Sequence, residues 1–145
     1  NGALAAALGN ICKQVVSYEV QETHITNAKK NLNLVDVKNV EIKHASVYDG
    51  IDETEVDVVT LDVPEPWRAL EHAAQALKLG GFLVTYSPST TQIKRTTEEA
   101  LAGRFIRHKT VEIIERKWKI KGESVRPDNV EIGHTAFLSF FRKFK

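Results

Sequence analysis

The sequence alternates short apolar runs with amphipathic helical patterns, and this alternation constrains the fold more than any other feature. Strand patterns occupy residues 14–20, 40–45, 56–62 and 82–87, and helical patterns occupy residues 2–13, 21–34, 68–78 and 90–101. Strands that alternate with helices form parallel sheets, because each helix returns the chain to the edge at which the previous strand began. The sequence therefore predicts an α/β open sheet.

The last part of the chain departs from this alternation. Two strand patterns, residues 109–120 and 134–143, are separated by a polar segment that holds Arg126 and Pro127, with no helical pattern between them. Consecutive strands without a crossover helix pair antiparallel. We therefore expect the sheet to finish with an antiparallel pair.

Size and composition exclude several classes of protein. With 145 residues, 42% of them apolar, the chain fits one domain with a single core. The net charge of +1 gives no overall basic field, and the basic runs near the C-terminus are typical of a solvated face. No apolar run reaches membrane length and no signal peptide or repeat is visible, so we expect a soluble, cytoplasmic protein.

The single cysteine, Cys12, lies in the apolar helical pattern of residues 2–13. It cannot form an internal disulfide, and no spacing of cysteine and histidine is typical of a zinc site. We expect Cys12 to be a small buried hydrophobe in a reducing compartment, and we expect no metal.

Polar side chains follow the end of each predicted parallel strand. They are, in strand order, Glu19, then Ser46 with Asp49, then Asp62, then Tyr86 with Ser87. Ligands of open α/β sheets bind beyond these carboxyl ends. The carboxylate of Glu19 can accept both hydroxyls of a ribose, although an exposed carboxylate without a ligand is an equally good interpretation.

The stretch LDVPEPW, residues 61–67, places Asp62 in an unusual loop. Pro64 and Pro66 fix φ and lack N–H donors, and Trp67 adds a flat apolar surface. Such a loop suits a flat substrate with one polar group directed at the carboxylate. The alternative is an Asx-turn that leads into the next helix.

Four segments together resemble a known family. VVSYEV, LDVPEPW, LKLGGFLVTYSPSTTQI and RPDNVEIGHTAFLSFFRK are similar to segments of the tRNA adenine-N1 methyltransferases of the T-loop, the archaeal and bacterial homo-oligomeric type, and the similarity covers residues 2–143. The resemblance implies a Rossmann-like class I methyltransferase fold, S-adenosylmethionine as cofactor, tRNA as substrate and a homo-oligomer, a tetramer in the family. It implies methyl transfer to N1 of an adenine in the T-loop.

The resemblance also implies roles for individual residues. On the cofactor it implies Glu19 as the ribose ligand, Val20 against the adenine, and Gly2 at the end of the glycine-rich turn. On the substrate it implies Asp62 as the catalytic carboxylate and Tyr86 as an aromatic neighbour of the target base. Trp67 is a second candidate for that neighbour, although packing in the core is its more ordinary interpretation.

The chain departs from the family pattern in two places. Ser46 stands where the family often has an aspartate that binds the cofactor adenine, and the backbone of Val47 or the side chain of Asp49 are candidates to replace it. The family's central first strand, most of the glycine-rich turn and its small N-terminal β-domain have no counterpart in the sequence. We therefore expect residues 1–145 to form part of a methyltransferase catalytic domain.

Two other classes of function stay open at this point. One is a class I methyltransferase that acts on a protein or a small molecule. The other is a non-catalytic RNA-binding subunit of the same fold. The presence of Asp62 and Glu19 argues against the second class, and Ser46 weakly favours it.

Overall fold

A computed structural model of the chain describes residues 2–128 and 133–145. The helices are α1 (Ala3–Gly9), α2 (Glu22–Leu34), α3 (Leu70–Ala76) and α4 (Thr90–Ala102), and a 3₁₀ turn, Pro66–Ala69, precedes α3. The strands are β1 (Val15–Glu19), β2 (Val40–His44), β3 (Val56–Leu61), β4 (Leu77–Ser87), β5 (Phe105–Glu112), β6 (Trp118–Lys121), β7 (Ser124–Pro127) and β8 (Phe137–Lys143). By internal contacts the chain forms two compact units, Asn1–Gly50 and Ile51–Lys145. The single partial domain expected over residues 1–145 stays a prediction.

The first unit consists of the parallel pair β1–β2 with helices α1 and α2. Helix α2 buries Ile25, Ala28 and Leu32, as its 3.6-residue periodicity predicts. Gly2 is the N-cap residue of helix α1; its φ is 81°, and an added Cβ would lie 2.9 Å from the Cβ of Ala28. Both the left-handed conformation and the close contact with α2 therefore require glycine at this position.

The second unit is built on a four-stranded sheet in the order β3–β4–β8–β5. Strand β3 pairs parallel with β4, and β8 lies antiparallel between β4 and β5. The core beside this sheet contains the buried side chains of Leu61, Leu77, Leu83, Phe105 and Phe141. The predicted antiparallel finish is thus confirmed, with residues 134–143 supplying β8.

The helix predicted over residues 68–78 is shorter than expected. The two glycines that follow the pattern, Gly80 and Gly81, are typical of a helix end, but the helix ends at Ala76 and both glycines lie inside β4. The partners of β3 jump from Leu77 to Phe82 between two nearby positions, so the first residues of β4 are irregularly paired. Gly80 has a φ of 78° there, which explains a glycine at a position where the pattern suggested a helix end.

The strand predicted over residues 109–120 is divided in two. Strand β5 ends at Glu112, and β6 contains the last residues of the predicted strand. Strand β6 pairs antiparallel with β7, which lies inside the segment that was expected to be a polar link. The apolar pattern continues through Ile113 and Ile114, yet both side chains are exposed. An apolar pattern by itself cannot show where a strand leaves its sheet, because it does not show whether a core lies behind it.

Cys12 is exposed, so the expectation that it is buried is wrong. Helix α1 ends at Gly9, and the chain has left the helix before it reaches Cys12. The small apolar residues that precede it gave the impression of a longer helix.

Strands β1 and β3 each have one free edge among the described residues. Strand β1 pairs only with β2, and β3 pairs only with β4. Exposed side chains such as that of Val58 occur on β3. The described part of the chain also contains no helix long and apolar enough to cross a membrane.

Candidate functional site

Glu19 is the last residue of β1, and the chain that follows holds its carboxylate. Oε1 accepts hydrogen bonds from the backbone N–H groups of Val20 (2.8 Å) and Gln21 (3.0 Å), and Oε2 lies 3.3 Å from Nδ1 of His24. Partial burial alone raises the pKa of Glu19, but the N–H groups of Gln21 and Val20, together with His24, bring that pKa below its ordinary value. Glu19 is therefore an ionised carboxylate of fixed orientation, with Oε2 as the oxygen that can accept a further donor.

Val20 lies next to this carboxylate, and its side chain is 56% exposed. Its carbonyl oxygen lies 3.0 Å from Nε2 of His44, the last residue of β2. The backbone of Val20 is thus fixed while its side chain presents an apolar surface. A planar ring can pack on such a surface.

The loop after β2 forms a compact turn. The hydroxyl of Ser46 accepts a hydrogen bond from the N–H of Tyr48 (3.1 Å), and its carbonyl accepts one from the N–H of Asp49 (3.1 Å). Ser46 and Val47 are half-buried, and Asp49 is exposed. The Ser46 hydroxyl keeps a hydrogen to donate, so both Ser46 and the carboxylate of Asp49 stay candidates for a polar contact with a ligand.

In the second unit, Asp62 follows β3 directly and is exposed. Neither a hydrogen bond nor an ion pair joins its carboxylate to any other residue that the structure describes. An Asx-turn would need a backbone N–H bonded to this carboxylate, and that bond is not formed within the described ranges. The carboxylate of Asp62 is therefore exposed and unpaired within the described part of the chain.

The loop that carries Asp62 is nonetheless tied to helix α4. The side-chain amide of Gln92 donates to the carbonyl oxygen of Pro64 (2.9 Å), and the guanidinium of Arg95 lies 4.2 Å from the centre of the Trp67 ring. Gln92 and Arg95 are three residues apart and so lie on one face of α4. Trp67 is half-buried under Arg95 rather than buried in the core. The segment after Asp62 is thus held at Pro64 and at Trp67, whereas the carboxylate of Asp62 has no such contact within the described residues.

Tyr86 belongs to the neighbouring strand, β4, and lies beside Asp62 near the end of that strand. Leu61 pairs with Thr85 in the parallel β3–β4 ladder, so Asp62 and Tyr86 are the next residues on two adjacent chains. Adjacent strands lie about 5 Å apart. Tyr86 is 38% exposed, which leaves part of its ring accessible. The structure thus places Asp62 and Tyr86 side by side at one end of the β3–β4 ladder, and Trp67 lies five residues further along the chain, in the 3₁₀ turn.

Three further residues hold this region and were not predicted. Gln92 and Arg95 contact the loop after β3, and His134 contacts the turn after β4, with its Nε2 at 2.7 Å from the carbonyl oxygen of Pro88. The STTQ segment did contain a signal, because Ser89 and Gln92 form a capping box at the start of α4. His134 had no such signal, since Pro88 is 46 residues away along the chain.

The site residues thus fall into two groups, one in each unit. Gly2, Glu19, Val20, Ser46 and Val47 belong to the first unit, and Asp62, Trp67 and Tyr86 belong to the second. Within residues 2–128 and 133–145, no group of three or more His, Cys, Asp or Glu residues is placed to hold a metal ion. The chemistry that these groups offer is that of carboxylates, hydroxyls and aromatic rings.

Comparison with known proteins gives consistent results. The family described as "tRNA methyltransferase complex GCD14 subunit" matches residues 9–137. The tRNA (adenine(58)-N(1))-methyltransferase TrmI of Thermus thermophilus is 36% identical over 133 residues, which are 90% of this chain and 52% of that protein. The tRNA (adenine(57)-N(1)/adenine(58)-N(1))-methyltransferase TrmI of Methanocaldococcus jannaschii is 34% identical over an alignment of 172 positions, covering 98% of this chain and 61% of that protein.

Solved structures agree with the sequence comparison. A SAM-dependent O-methyltransferase from Thermotoga maritima superposes with a TM-score of 0.93 at 33% identity, covering 99% of this chain and 56% of that one. The tRNA (m1A58) methyltransferase TrmI of Aquifex aeolicus superposes with a TM-score of 0.88 at 30% identity, covering 99% of this chain and 59% of that one. The chain therefore spans somewhat more than half the length of these proteins, and the expected Rossmann-like class I methyltransferase fold is confirmed. The chain belongs to the family of the tRNA methyltransferase complex GCD14 subunit.

Proposed function

We propose that the protein transfers a methyl group from S-adenosylmethionine to N1 of an adenine in the T-loop of tRNA. The relatives named for position 58, or for positions 57 and 58, support this substrate. The observation that carries the proposal is the carboxylate of Asp62, which lies exposed and without a described partner on a loop tied to α4, beside Tyr86. Position 58, with 57 as an addition, is the target that these relatives favour.

The chemistry of adenine N1 suits such a carboxylate. N1 has a lone pair, so it can attack a methyl group without first losing a proton. The ring becomes cationic as the new bond forms. A carboxylate that accepts a hydrogen bond from the N6 amine orients the base and stabilises this developing charge. Since no described residue occupies the oxygens of Asp62, they are available for N6, and Asp62 need not act as a base.

Tyr86 is the proposed neighbour of the target adenine. A base in the tRNA elbow must leave its stack to reach an active site, and an aromatic side chain can replace part of the lost stacking. The partly exposed ring of Tyr86 stands next to Asp62 in the ladder. Trp67 has one ring face covered by Arg95, so we propose that it limits the pocket from its other side.

The residues of the first unit fit S-adenosylmethionine, which when bound supplies a methyl group on a sulfonium. Oε2 of Glu19 can accept a hydrogen bond from a ribose hydroxyl, while the N–H groups on Oε1 keep the carboxylate ionised and oriented. Val20 offers an apolar surface to the adenine ring. The turn that contains Ser46 and Val47 offers a hydroxyl and backbone groups to the adenine edge. By resemblance, Gly2 at the N-cap of α1 is the proposed cofactor contact at the end of the glycine-rich turn.

We further propose a homo-oligomer, a tetramer by resemblance, in the cytoplasm. The β6–β7 hairpin supports self-association, because its cross-strand pairing places the exposed side chains of Trp118, Ile120 and Val125 on one face. Light scattering coupled to gel filtration of the intact protein would measure the oligomeric state directly. A monomer at micromolar concentration would contradict this part of the proposal.

The substrate is tested by methylation with isotope-labelled S-adenosylmethionine. The intact protein is incubated with an unmodified tRNA transcript, with the same transcript carrying guanine for the T-loop adenine, and with protein acceptors. We expect 1-methyladenosine in the nucleoside digest of the first transcript and none in that of the second. Label in protein, or a ribose O-methyl product, would support another class I methyltransferase. Failure to bind S-adenosylmethionine in calorimetry would support a non-catalytic subunit.

A further inference from the structure

His134 joins three separate parts of the second unit. Its Nδ1 lies 2.5 Å from Oε1 of Glu112 at the end of β5, and its Nε2 lies 2.7 Å from the carbonyl oxygen of Pro88 after β4. The ring centre also lies 4.7 Å from that of Phe137, the first residue of β8. None of these contacts is local in sequence except the last, so His134 fixes tertiary geometry.

Both hydrogen-bond partners of the ring are acceptors. A carboxylate and a carbonyl have no hydrogen to donate, so both bonds form only when both ring nitrogens carry one. A neutral imidazole carries a single N–H and can keep only one of the two bonds. The bond to Glu112, followed by that to Pro88, raises the pKa of His134 above its ordinary value, which agrees with this requirement. The two bonds to Glu112 and Pro88, here called the His134 clamp, are therefore complete only in the imidazolium form.

The clamp is connected to both loops of the candidate site. Pro88 lies between Tyr86 and Ser89, the residue that caps α4. The capping box joins Ser89 to Gln92, and the Gln92 amide donates to the carbonyl of Pro64, two residues after Asp62. An unbroken series of hydrogen bonds and short chain segments thus links His134 to the backbone that carries both Tyr86 and Asp62.

We propose that His134 is a positioning residue for methyl transfer, holding the turn after β4 so that Tyr86 and Asp62 keep their relative placement. The inference rests on the proposed function, because it takes Tyr86 and Asp62 as the residues that contact the base. In this series of hydrogen bonds, Pro88 stands between His134 and the segments that carry Tyr86 and Asp62. Its loss should therefore act on the rate of the chemical step more than on the affinity for either substrate.

The first test is a comparison of variants of the intact protein. His134→Gln removes the imidazolium, whereas His108→Gln makes the same change at an exposed histidine of β5 whose described contact is an edge-on approach to Phe82. At saturating tRNA and S-adenosylmethionine, we expect His134→Gln to lower the single-turnover rate about tenfold, with KM values within about twofold. His108→Gln should match the wild type. A His134→Gln protein that melts like the wild type and reacts at the wild-type rate would overturn the proposal.

The second test uses pH. Glu112 is the charged side chain that contacts His134 within the part of the chain that the structure describes; the other contacts are the Pro88 carbonyl and the Phe137 ring. Because the folded pKa of His134 is raised, the clamp is complete at low pH and is lost as pH rises through that folded pKa. The wild-type rate should fall over that range, and Glu112→Gln should move the fall to lower pH. An unmoved profile in Glu112→Gln would contradict the proposal.

A measurement without substrate separates this inference from the proposed function. The ¹⁵N signals of the His134 ring report whether both nitrogens are protonated, whatever the protein methylates. If the wild type does not methylate tRNA, the proposed function fails, and the clamp is judged on this titration alone. A pKa that is raised in the wild type and lowered in Glu112→Gln supports the clamp. A pKa at or below the ordinary value for histidine overturns it.

Discussion

Glu19 and Asp62 both lie at the carboxyl end of a parallel strand, yet their side chains differ in burial and in hydrogen bonding. The carboxylate of Glu19 is half-buried, accepts two backbone N–H groups and has a lowered pKa. The carboxylate of Asp62 is exposed and has no partner among the described residues, although Gln92 holds the backbone two residues further on. At Glu19 the side chain is fixed, and at Asp62 only the backbone is fixed.

This difference suggests different tasks for the two residues. A carboxylate held in one orientation suits a ligand that binds in the same way at every turnover, such as a ribose with two hydroxyls. A carboxylate without an internal partner can give its full hydrogen-bonding capacity to a group whose charge grows during a reaction. Substitutions at the two positions should therefore affect different measured quantities.

The largest effect is expected from Asp62→Ala. The variant should lower single-turnover methyl transfer to tRNA by about a hundredfold or more, which is the scale of losing one preorganised electrostatic group. Calorimetry should show nearly unchanged affinity for S-adenosylmethionine, because Glu19 and not Asp62 is the proposed ribose ligand. A wild-type rate, or a defect confined to cofactor binding, would show that Asp62 has no role at the reacting base.

Asp62→Asn sharpens the same point. The amide oxygen can still accept a hydrogen bond from N6, but it carries no charge. We expect this variant to be nearly as slow as Asp62→Ala in single-turnover assays, because stabilisation of the cationic ring depends on the charge. Recovery of most of the wild-type rate would mean that Asp62 orients the base and that its charge contributes little.

A smaller effect, on binding rather than rate, is expected from Glu19→Ala. It removes the proposed charge-assisted hydrogen bond to the ribose, worth roughly 1.5–3 kcal/mol, so the affinity for S-adenosylmethionine should fall at least about tenfold. Glu22→Ala is the matched control, since Glu22 is exposed in the first turn of α2 nearby. Equal affinities in the two variants, with circular dichroism unchanged, would remove Glu19 from the cofactor site.

The smallest effect concerns stability and pH. The pKa of Glu19 is lowered in the folded state, so its ionised form stabilises the fold above the ordinary pKa, and this contribution disappears as pH falls through the folded pKa. Glu19→Gln should therefore be slightly less stable than the wild type near neutral pH. Thermal melts should converge as the solution becomes more acidic than the ordinary pKa of glutamate. A constant difference across that range would mean that the ionised carboxylate is not what stabilises the turn.

Several features of this protein follow from the sequence by itself. The alternation of strand and helix patterns, the buried face of α2 and the position of Glu19 and Asp62 at strand ends all depend on local periodicity, which each segment contains in full. The antiparallel pairing of β8 with β5 also follows, because no helical pattern lies between residues 109–120 and 134–143 to return the chain for a parallel strand.

Other features were decided only by the tertiary structure. The exposure of Cys12 and the separate β6–β7 hairpin depend on whether a core lies behind an apolar segment, which the segment itself does not contain. The environments of the two carboxylates differ because two backbone N–H groups donate to the carboxylate of Glu19, whereas none within the described residues donates to that of Asp62. The contact between His134 and Pro88 joins residues 46 positions apart, and only the folded sheet brings these two segments of the chain together.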